Sequence, residues 1–346
     1  MCVWHGRRIM KNRTIEFTEP RLVNLVDYEI AEPGAGEVLV KIEASAISAG
    51  TERANYVGEK NVSIIKGAVV GFPRYGGYSA AGTVEKLGEG VTGFEIGDRV
   101  ALSWSRHQKH CIVKAECVYK LPDNVSYHEA ALVHISTFPL AAIRKCRLEL
   151  GESALVMGLG VLGLIGVELL CAAGAYPIIA VDPVEEKRAR ALELGADYAL
   201  NPFDEDFAEK VKEITGGGAH VCLEITGLGS GLDMALDCMR KFGRVALLGC
   251  TRNSDFSIDY YRKVHGPGIT MIGAHTMARP KLESSEGWWT ERDDAKAVIS
   301  LISGKRLDFK ALIDEVHSPN ECVSVYERLG NEKTFPTVVF DWSDIE

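Results

Sequence analysis

The sequence predicts an α/β protein built from an irregular β-barrel in its first third and a doubly wound parallel sheet after it. Three observations predict this. From about residue 14 to 135, short segments with apolar residues on alternating positions are separated by glycine turns, the pattern of half-buried strands. From about residue 151 onward, short apolar runs alternate with helix-like stretches, the rhythm of a parallel sheet covered by helices. Where the rhythm changes stands a glycine turn, Gly158-Leu159-Gly160-Val161-Leu162-Gly163, directly after an apolar run.

Composition narrows the class. At 346 residues the chain is long for one core, and two domains are expected. A 46% hydrophobic and 25% charged composition fits a folded globular chain. The formal charge of −9 argues against a nucleic-acid partner. No apolar stretch is long and uninterrupted enough to span a bilayer, so no membrane partner is expected. Residues 1–13 carry basic residues with no apolar stretch behind them, unlike a secretory signal. Met10 reads as an alternative start, with the first nine residues a disordered extension. Nine cysteines, none in a C-x-x-C pair, read as buried thiols of a reducing cytoplasm.

The elements follow in order. Residues 37–44, 78–87 and 99–102 read as barrel strands, with Gly88-Glu89-Gly90 and Gly97-Asp98 as turns. Residues 154–157, 176–181, 198–200, 221–225, 245–248 and 269–272 read as six strands of the parallel sheet. Helices are expected at 161–173, 184–194, 204–214 and 232–241 between them. The tail adds helices at 291–303 and 321–329 and a strand at 337–340.

The glycine turn carries chemistry. Between a strand and a helix, G-x-G-x-x-G lets the backbone approach a pyrophosphate, and the helix offers it free N–H groups. About twenty residues on, the second strand ends in Asp182, where an acid accepts hydrogen bonds from the adenosine ribose. A carboxylate there repels a 2′-phosphate, so NAD(H) is expected rather than NADP(H). The cofactor-binding candidates are Gly158, Gly160, Val161, Leu162, Gly163 and Asp182. Thr226 and Gly249 join them as residues at strand carboxyl ends, the edge where open parallel sheets bind ligands. Cys250 is a contact at best.

Two further signatures complete a resemblance. Gly82-Thr83-Val84-Glu85-Lys86-Leu87-Gly88-Glu89-Gly90-Val91, followed by Phe94 and Gly97-Asp98-Arg99-Val100, resembles the barrel signature of the medium-chain dehydrogenase/reductase superfamily. The glycine turn with Asp182 resembles its cofactor signature. The zinc alcohol and polyol dehydrogenases belong there, and the likeness covers nearly the whole chain from about Met10. It implies a GroES-like barrel as catalytic domain and a Rossmann sheet inserted into it. The expected parts are 1–136 for the N-terminal catalytic part, 137–273 for the nucleotide domain and 274–346 for the completing tail. It also implies an adenosine-ribose contact for Lys187, whose bland reading is a solvated helix face shared with Arg188 and Arg190. By the same analogy a homodimer or homotetramer is expected.

The departures from the zinc enzymes carry as much information. Where those place a cysteine after the first barrel strand, this chain has Ser48; where they place Gly-His-Glu, it has Gly77-Tyr78-Ser79. The third ligand position falls near Val133, with His134 one residue off, and the four-cysteine lobe is missing. No metal is therefore expected at either site. His107, His110 and Cys111 read as a strand start rather than a metal site. Without zinc a side chain must move the hydroxyl proton. The catalytic candidates are Glu52, Tyr78, Ser48 and His107, Glu52 lying in a Gly50-Thr51-Glu52 segment that resembles zinc-lacking branches. His275 reads as a loop cap beside the sixth strand, and Trp288-Trp289 as packing or a sugar-stacking wall.

The expected function is a zinc-independent, NAD-dependent dehydrogenase of the cytoplasm. It acts on a small-molecule secondary alcohol or ketone, with a sugar, glycoside or polyol preferred. Two other readings stay open: an NAD(P)H-dependent quinone or enoyl reductase, against which Asp182 counts, and a non-catalytic nucleotide-binding protein.

Overall fold

A computed structural model describes residues 9–65 and 68–345. The expected N-terminal extension lies outside the described residues up to residue 8; Ile9 and Met10 already belong to the first strand. The chain forms two compact units. Of the described residues, one holds those up to Ile135 with 298–303 and 309–345; the other holds 136–297 and 304–308.

The first unit is built from two sheets. The smaller orders Leu22–Ala31, Ile9–Glu19 and Arg74–Tyr75, all antiparallel. The larger orders Glu315–His317, Val338–Asp341, Glu37–Ala46, Ser79–Leu87, Arg99–Ser103 and Val118–Lys120, with His110–Lys114 also paired to Glu37–Ala46. The alternation read from residues 37–44 holds from Val40 onward: Val40, Ile42 and Ala44 are fully buried and Lys41 and Glu43 partly exposed, whereas Leu39 is buried together with Val38. The C-terminal strand Val338–Asp341 pairs antiparallel with Glu37–Ala46, so the tail returns to the sheet where the chain began. One apolar cluster unites the two ends, with Phe17, Ile42 and Tyr56 packed with Tyr326, Phe340 and Trp342. Among the described residues no helix is long and apolar enough to cross a membrane.

The second unit is a six-stranded sheet ordered Tyr198–Leu200, Ile178–Val181, Ala154–Met157, Ala219–Glu224, Met239–Leu247 and Thr270–Gly273, every pairing parallel. In chain order this is 3-2-1-4-5-6, with the order reversing between the first and fourth strands. Together the two units give the expected class, a Rossmann doubly wound sheet and a GroES-like barrel.

Two expectations need correction. Residues 239–241 are strand rather than helix: the helix Gly229–Asp237 stops at Cys238, and Met239 pairs with Ala219. Phe242, at φ 64°, lies in the left-handed region, and the register slips between Ala219 and Val221, so an irregular strand start hid the pattern. By compactness, 274–297 cluster with the second unit rather than with the tail. Arg144 explains this. It bonds Asp294 at 2.8 Å and its guanidinium lies 3.5 Å over the Trp289 ring, while Arg279 bonds Thr137.

Candidate active site

In the second unit the glycine turn closes as its spacing requires. Gly158 sits at φ 98°, a conformation that favours glycine. A Cβ on Gly163 would lie 2.0 Å from the Gly158 carbonyl oxygen, so no other residue fits there. Gly160 differs: a Cβ on it meets nothing within 4 Å, leaving an open cradle. It is also the N-cap of the helix Val161–Ala173 and supplies no side-chain cap. The first-turn N–H groups, at Val161 and Leu162, are thus left for an anion.

Asp182 is buried at the end of its strand and reaches back to this turn. One carboxylate oxygen accepts from the Leu159 N–H at 2.9 Å, the other from the Val184 N–H at 3.0 Å. Each oxygen keeps a further lone pair, which is what ribose hydroxyls require. Lys187 Nζ stands 3.9 Å from the Asp182 carboxylate. Thr226 stands at the switch point: a Cβ on Gly158 would touch its methyl at 3.2 Å. Its hydroxyl donates to Glu224 and accepts from the Leu228 N–H at 3.1 Å. Burial pushes the Glu224 carboxyl pKa up. On Gly249 a Cβ would lie 2.4 Å from the Gly227 nitrogen, so this glycine lets two strand ends meet. Cys250 is exposed.

In the first unit, Ser48, Glu52, Tyr78 and His107 come together from separate elements. Ser48 stands at the N-cap position of the helix Ala49–Tyr56 without a side-chain cap bond, and one turn on Glu52 accepts its backbone N–H at 2.8 Å. Glu52 is 1% exposed, and its second oxygen accepts from the Tyr326 hydroxyl and meets His107 Nε2 at 3.0 Å. Each such bond to a buried carboxylate is worth roughly 1.5–3 kcal/mol, and losing one leaves a charge under-compensated. His107 is wholly buried, so it backs Glu52 rather than lining a cavity. The chain of partners runs deeper. The Trp342 indole N–H donates to Ser45 Oγ at 2.8 Å, and Ser45 Oγ meets His107 Nδ1 at 2.7 Å. Trp342 can only donate, so the chain closes when Ser45 O–H donates to Nδ1 and the Nε2–H donates to Glu52. Burial and the carboxylate push the Tyr326 hydroxyl pKa well up, keeping it a donor. Gly76 permits this approach, since a Cβ on it would lie 2.8 Å from the Glu52 carboxylate.

Tyr78 is the partly exposed member and donates to the Ser48 hydroxyl. Its ring meets His134 edge-on at 5.7 Å, and His134 meets Trp104 at 4.8 Å. Tyr78 and Trp104 line a cavity of about 440 Å³ in this unit. Sequence alone does not single out Tyr326, Trp104 or the cavity's arginines: an aromatic in an amphipathic tail helix reads only as core. His107, His110 and Cys111 do not converge. His110 stands 3.4 Å from Glu85, and Cys111 is core, its thiol pKa pushed up to about 11 by burial. Among the described residues no group of three or more His, Cys, Asp or Glu side chains is placed to hold a metal ion. In the second unit, His275 Nδ1 accepts from the Met277 N–H at 3.1 Å, a loop cap. Trp288 and Trp289 lie under the cations of Lys145 and Arg144.

Comparison with known proteins agrees with both halves. Residues 34–135 match the alcohol dehydrogenase GroES-like domain family, and 161–288 the zinc-binding dehydrogenase family. The chain is 33% identical over 279 residues to L-threonine 3-dehydrogenase of Pyrococcus furiosus, covering 72% of this chain and 78% of that one. It is 26% identical over 319 residues to D-guloside 3-dehydrogenase of Shigella flexneri, covering 86% and 90%. The crystal structure of 2R,3R-butanediol dehydrogenase from Bacillus subtilis shares the fold at a TM-score of 0.79, with 24% identity over 95% of this chain and 99% of that one. The chain therefore belongs to the medium-chain dehydrogenase/reductase superfamily of the zinc alcohol dehydrogenase type, enzymes that act on CH–OH groups.

Proposed function

We propose that this enzyme is an NAD(H)-dependent dehydrogenase that interconverts a secondary alcohol and its ketone without zinc, on a polar substrate of the polyol, sugar or glycoside class. The observation that carries the reading is the Tyr78–Ser48 hydroxyl pair, backed by a sealed Glu52, where the resemblance puts metal ligands. Zinc is held by Cys, His or carboxylate side chains. Two hydroxyls bonded to each other, beside a carboxylate whose oxygens are already engaged, do not fit it. The hydroxyl proton is therefore handled by side chains.

The open cradle at Gly160 and the lone pairs of Asp182 support NAD(H) in the second unit. Gly158, Gly160 and Gly163 with the N–H groups of Val161 and Leu162 hold the pyrophosphate, Asp182 and Lys187 the ribose, and Thr226 and Gly249 shape the sheet edge. When bound, the nicotinamide supplies or accepts the hydride. In ketone reduction Tyr78 donates its hydroxyl proton to the carbonyl oxygen and is reprotonated from solvent at its partly exposed face. The reverse holds for alcohol oxidation, and Ser48 holds the reacting oxygen. Glu52, with both oxygens engaged, acts as a positioning residue: it fixes the Ser48 backbone, and His107 and Tyr326 fix Glu52. The likeness to D-guloside 3-dehydrogenase supports a glycoside or sugar substrate. A homodimer or homotetramer belongs to the proposal as analogy, which light scattering tests.

The experiment is a screen of polyols, sugars and methyl glycosides with NAD⁺, read as nicotinamide reduction, before and after chelation. Turnover that survives chelation supports the reading. Turnover lost to the chelator and restored by Zn²⁺ refutes metal independence, and strong NADPH selectivity on alkenes or quinones refutes the alcohol chemistry.

A further inference from the structure

The cavity of about 440 Å³ in the first unit is lined by Asn55, Arg74, Tyr75, Tyr78, Trp104 and Arg106 among others, and its lining includes no carboxylate. That volume lies within the roughly 300–1,000 Å³ usual for small-molecule sites. Arg74 is 6% exposed, and a guanidinium so buried is ordinarily paired. Here two of its five N–H donors go to the backbone carbonyls of Glu59 at 3.0 Å and Val70 at 2.7 Å. Its Nε–H has no partner among the described residues, and its carbon lies 4.5 Å over the Phe72 ring. Arg106 is exposed at the same cavity, its guanidinium 4.0 Å over the Tyr75 ring. Carbonyls and rings soften a cation but do not neutralise it; Glu16 bonds Tyr75 beside Arg106, whereas Arg74 has no ion pair among the described residues, so its charge is left to the open cleft.

Trp104 adds an independent sign. It follows the strand Arg99–Ser103 at φ 60°, which is strained for a bulky residue, and is held there by its N–H bonding the Tyr78 carbonyl at 2.9 Å. The strained backbone leaves a 43% exposed indole beside Tyr78 rather than burying it. Strain of this kind collects at ligand sites.

The structure assigns this cavity to an oxyanion carried by the substrate, a carboxylate or phosphate ester bonded by Arg74 and Arg106, with the rest of the molecule on Trp104 and its oxidisable hydroxyl at Tyr78. This rests on the dehydrogenase reading for the hydroxyl at Tyr78, while the anion site stands on Arg74 and Arg106. The enzyme thus prefers an acidic or phosphorylated sugar over a neutral sugar, glycoside or polyol.

Calorimetric titration of the full chain with D-glucose, D-glucuronate and D-glucose 6-phosphate tests it, since binding is read whether or not turnover occurs. One or both anions bind about tenfold or more tightly than glucose, as one charge-assisted contact provides. The advantage shrinks as salt rises, and comparison of the two anions decides between carboxylate and phosphate. Arg74→Gln and Arg106→Gln each lower anion affinity toward that of glucose; Arg74→Lys keeps part of it. Arg106 is exposed, so its variant keeps the test open if Arg74→Gln fails to fold. Equal affinity for the three sugars, no binding of either anion, or an anion preference unchanged in Arg106→Gln overturns the assignment. Anion preference without any nicotinamide reduction leaves it standing and counts against the dehydrogenase reading alone.

Discussion

Replacing Gly160 by alanine adds one methyl group and tests where the pyrophosphate sits. Gly160 has φ −75° and ψ −173°, a conformation open to any residue, and a Cβ there meets no heavy atom within 4 Å. In the free protein, the narrower unfolded ensemble favours alanine by about 0.4–1 kcal/mol. A poorer N-cap costs a similar amount, so net stability stays within about 0.5 kcal/mol of the parent. With cofactor the balance changes, because the methyl fills the space through which a phosphate oxygen reaches the N–H groups of Val161 and Leu162. Losing two charge-assisted hydrogen bonds at roughly 1.5–2 kcal/mol each weakens binding about 100- to 1,000-fold. Gly163→Ala is the contrast. Its Cβ would sit 2.0 Å from a backbone carbonyl, so the free protein itself loses several kcal/mol, about 3 or more by the overpacking scale. Thermal melts without ligand and NADH fluorescence titrations separate the two variants. If Gly160→Ala binds NADH within a factor of about three of the parent, the cradle is not the phosphate site and the reasoning fails.

Three other outcomes are expected. Asp182→Ala weakens NADH by roughly tenfold to a hundredfold and narrows the preference over NADPH, in paired fluorescence titrations, because ribose bonds and the Leu159 anchor go together; an unchanged preference removes Asp182 from the ribose. Tyr78→Phe lowers kcat by about 10²–10⁴-fold with NADH affinity intact, whereas a structural tyrosine shifts melting temperature and leaves kcat alone. Glu168→Gln changes the pH dependence of stability. Burial raises this carboxyl's pKa to about 7, and one of its oxygens lacks a partner among the described residues. Between the ordinary carboxylate range and about pH 7 the folded chain holds a proton that the unfolded chain has released, so stability falls as pH rises through that window. The amide keeps the bond from the Asp308 N–H at 3.0 Å without the charge. In urea titrations the variant therefore matches the parent near pH 5 and exceeds it above about pH 8, by on the order of 2–3 kcal/mol. Parallel curves at both pH values contradict this.

Some of this protein was legible in the chain alone. Alternation at 37–44 and the strand–helix rhythm after 151 are local, and strand and helix periods follow from backbone geometry within a few residues. The glycine turn is local too: Gly163 must be glycine because of an atom five residues earlier, so spacing suffices to find it. Tertiary structure decided the rest. Glu52 reads as an accessible base beside a glycine turn, and becomes a sealed positioning group only because Tyr326, 274 positions away, bonds it. Ser45 and Trp342 meet across 297 positions for the same reason: the last strand returns to the first barrel strand. Arg74 looks like any surface arginine until the sheets bury it and leave its Nε–H without a partner among the described residues. Burial and long-range pairing are set by how the whole chain packs, and no window of neighbouring residues records them.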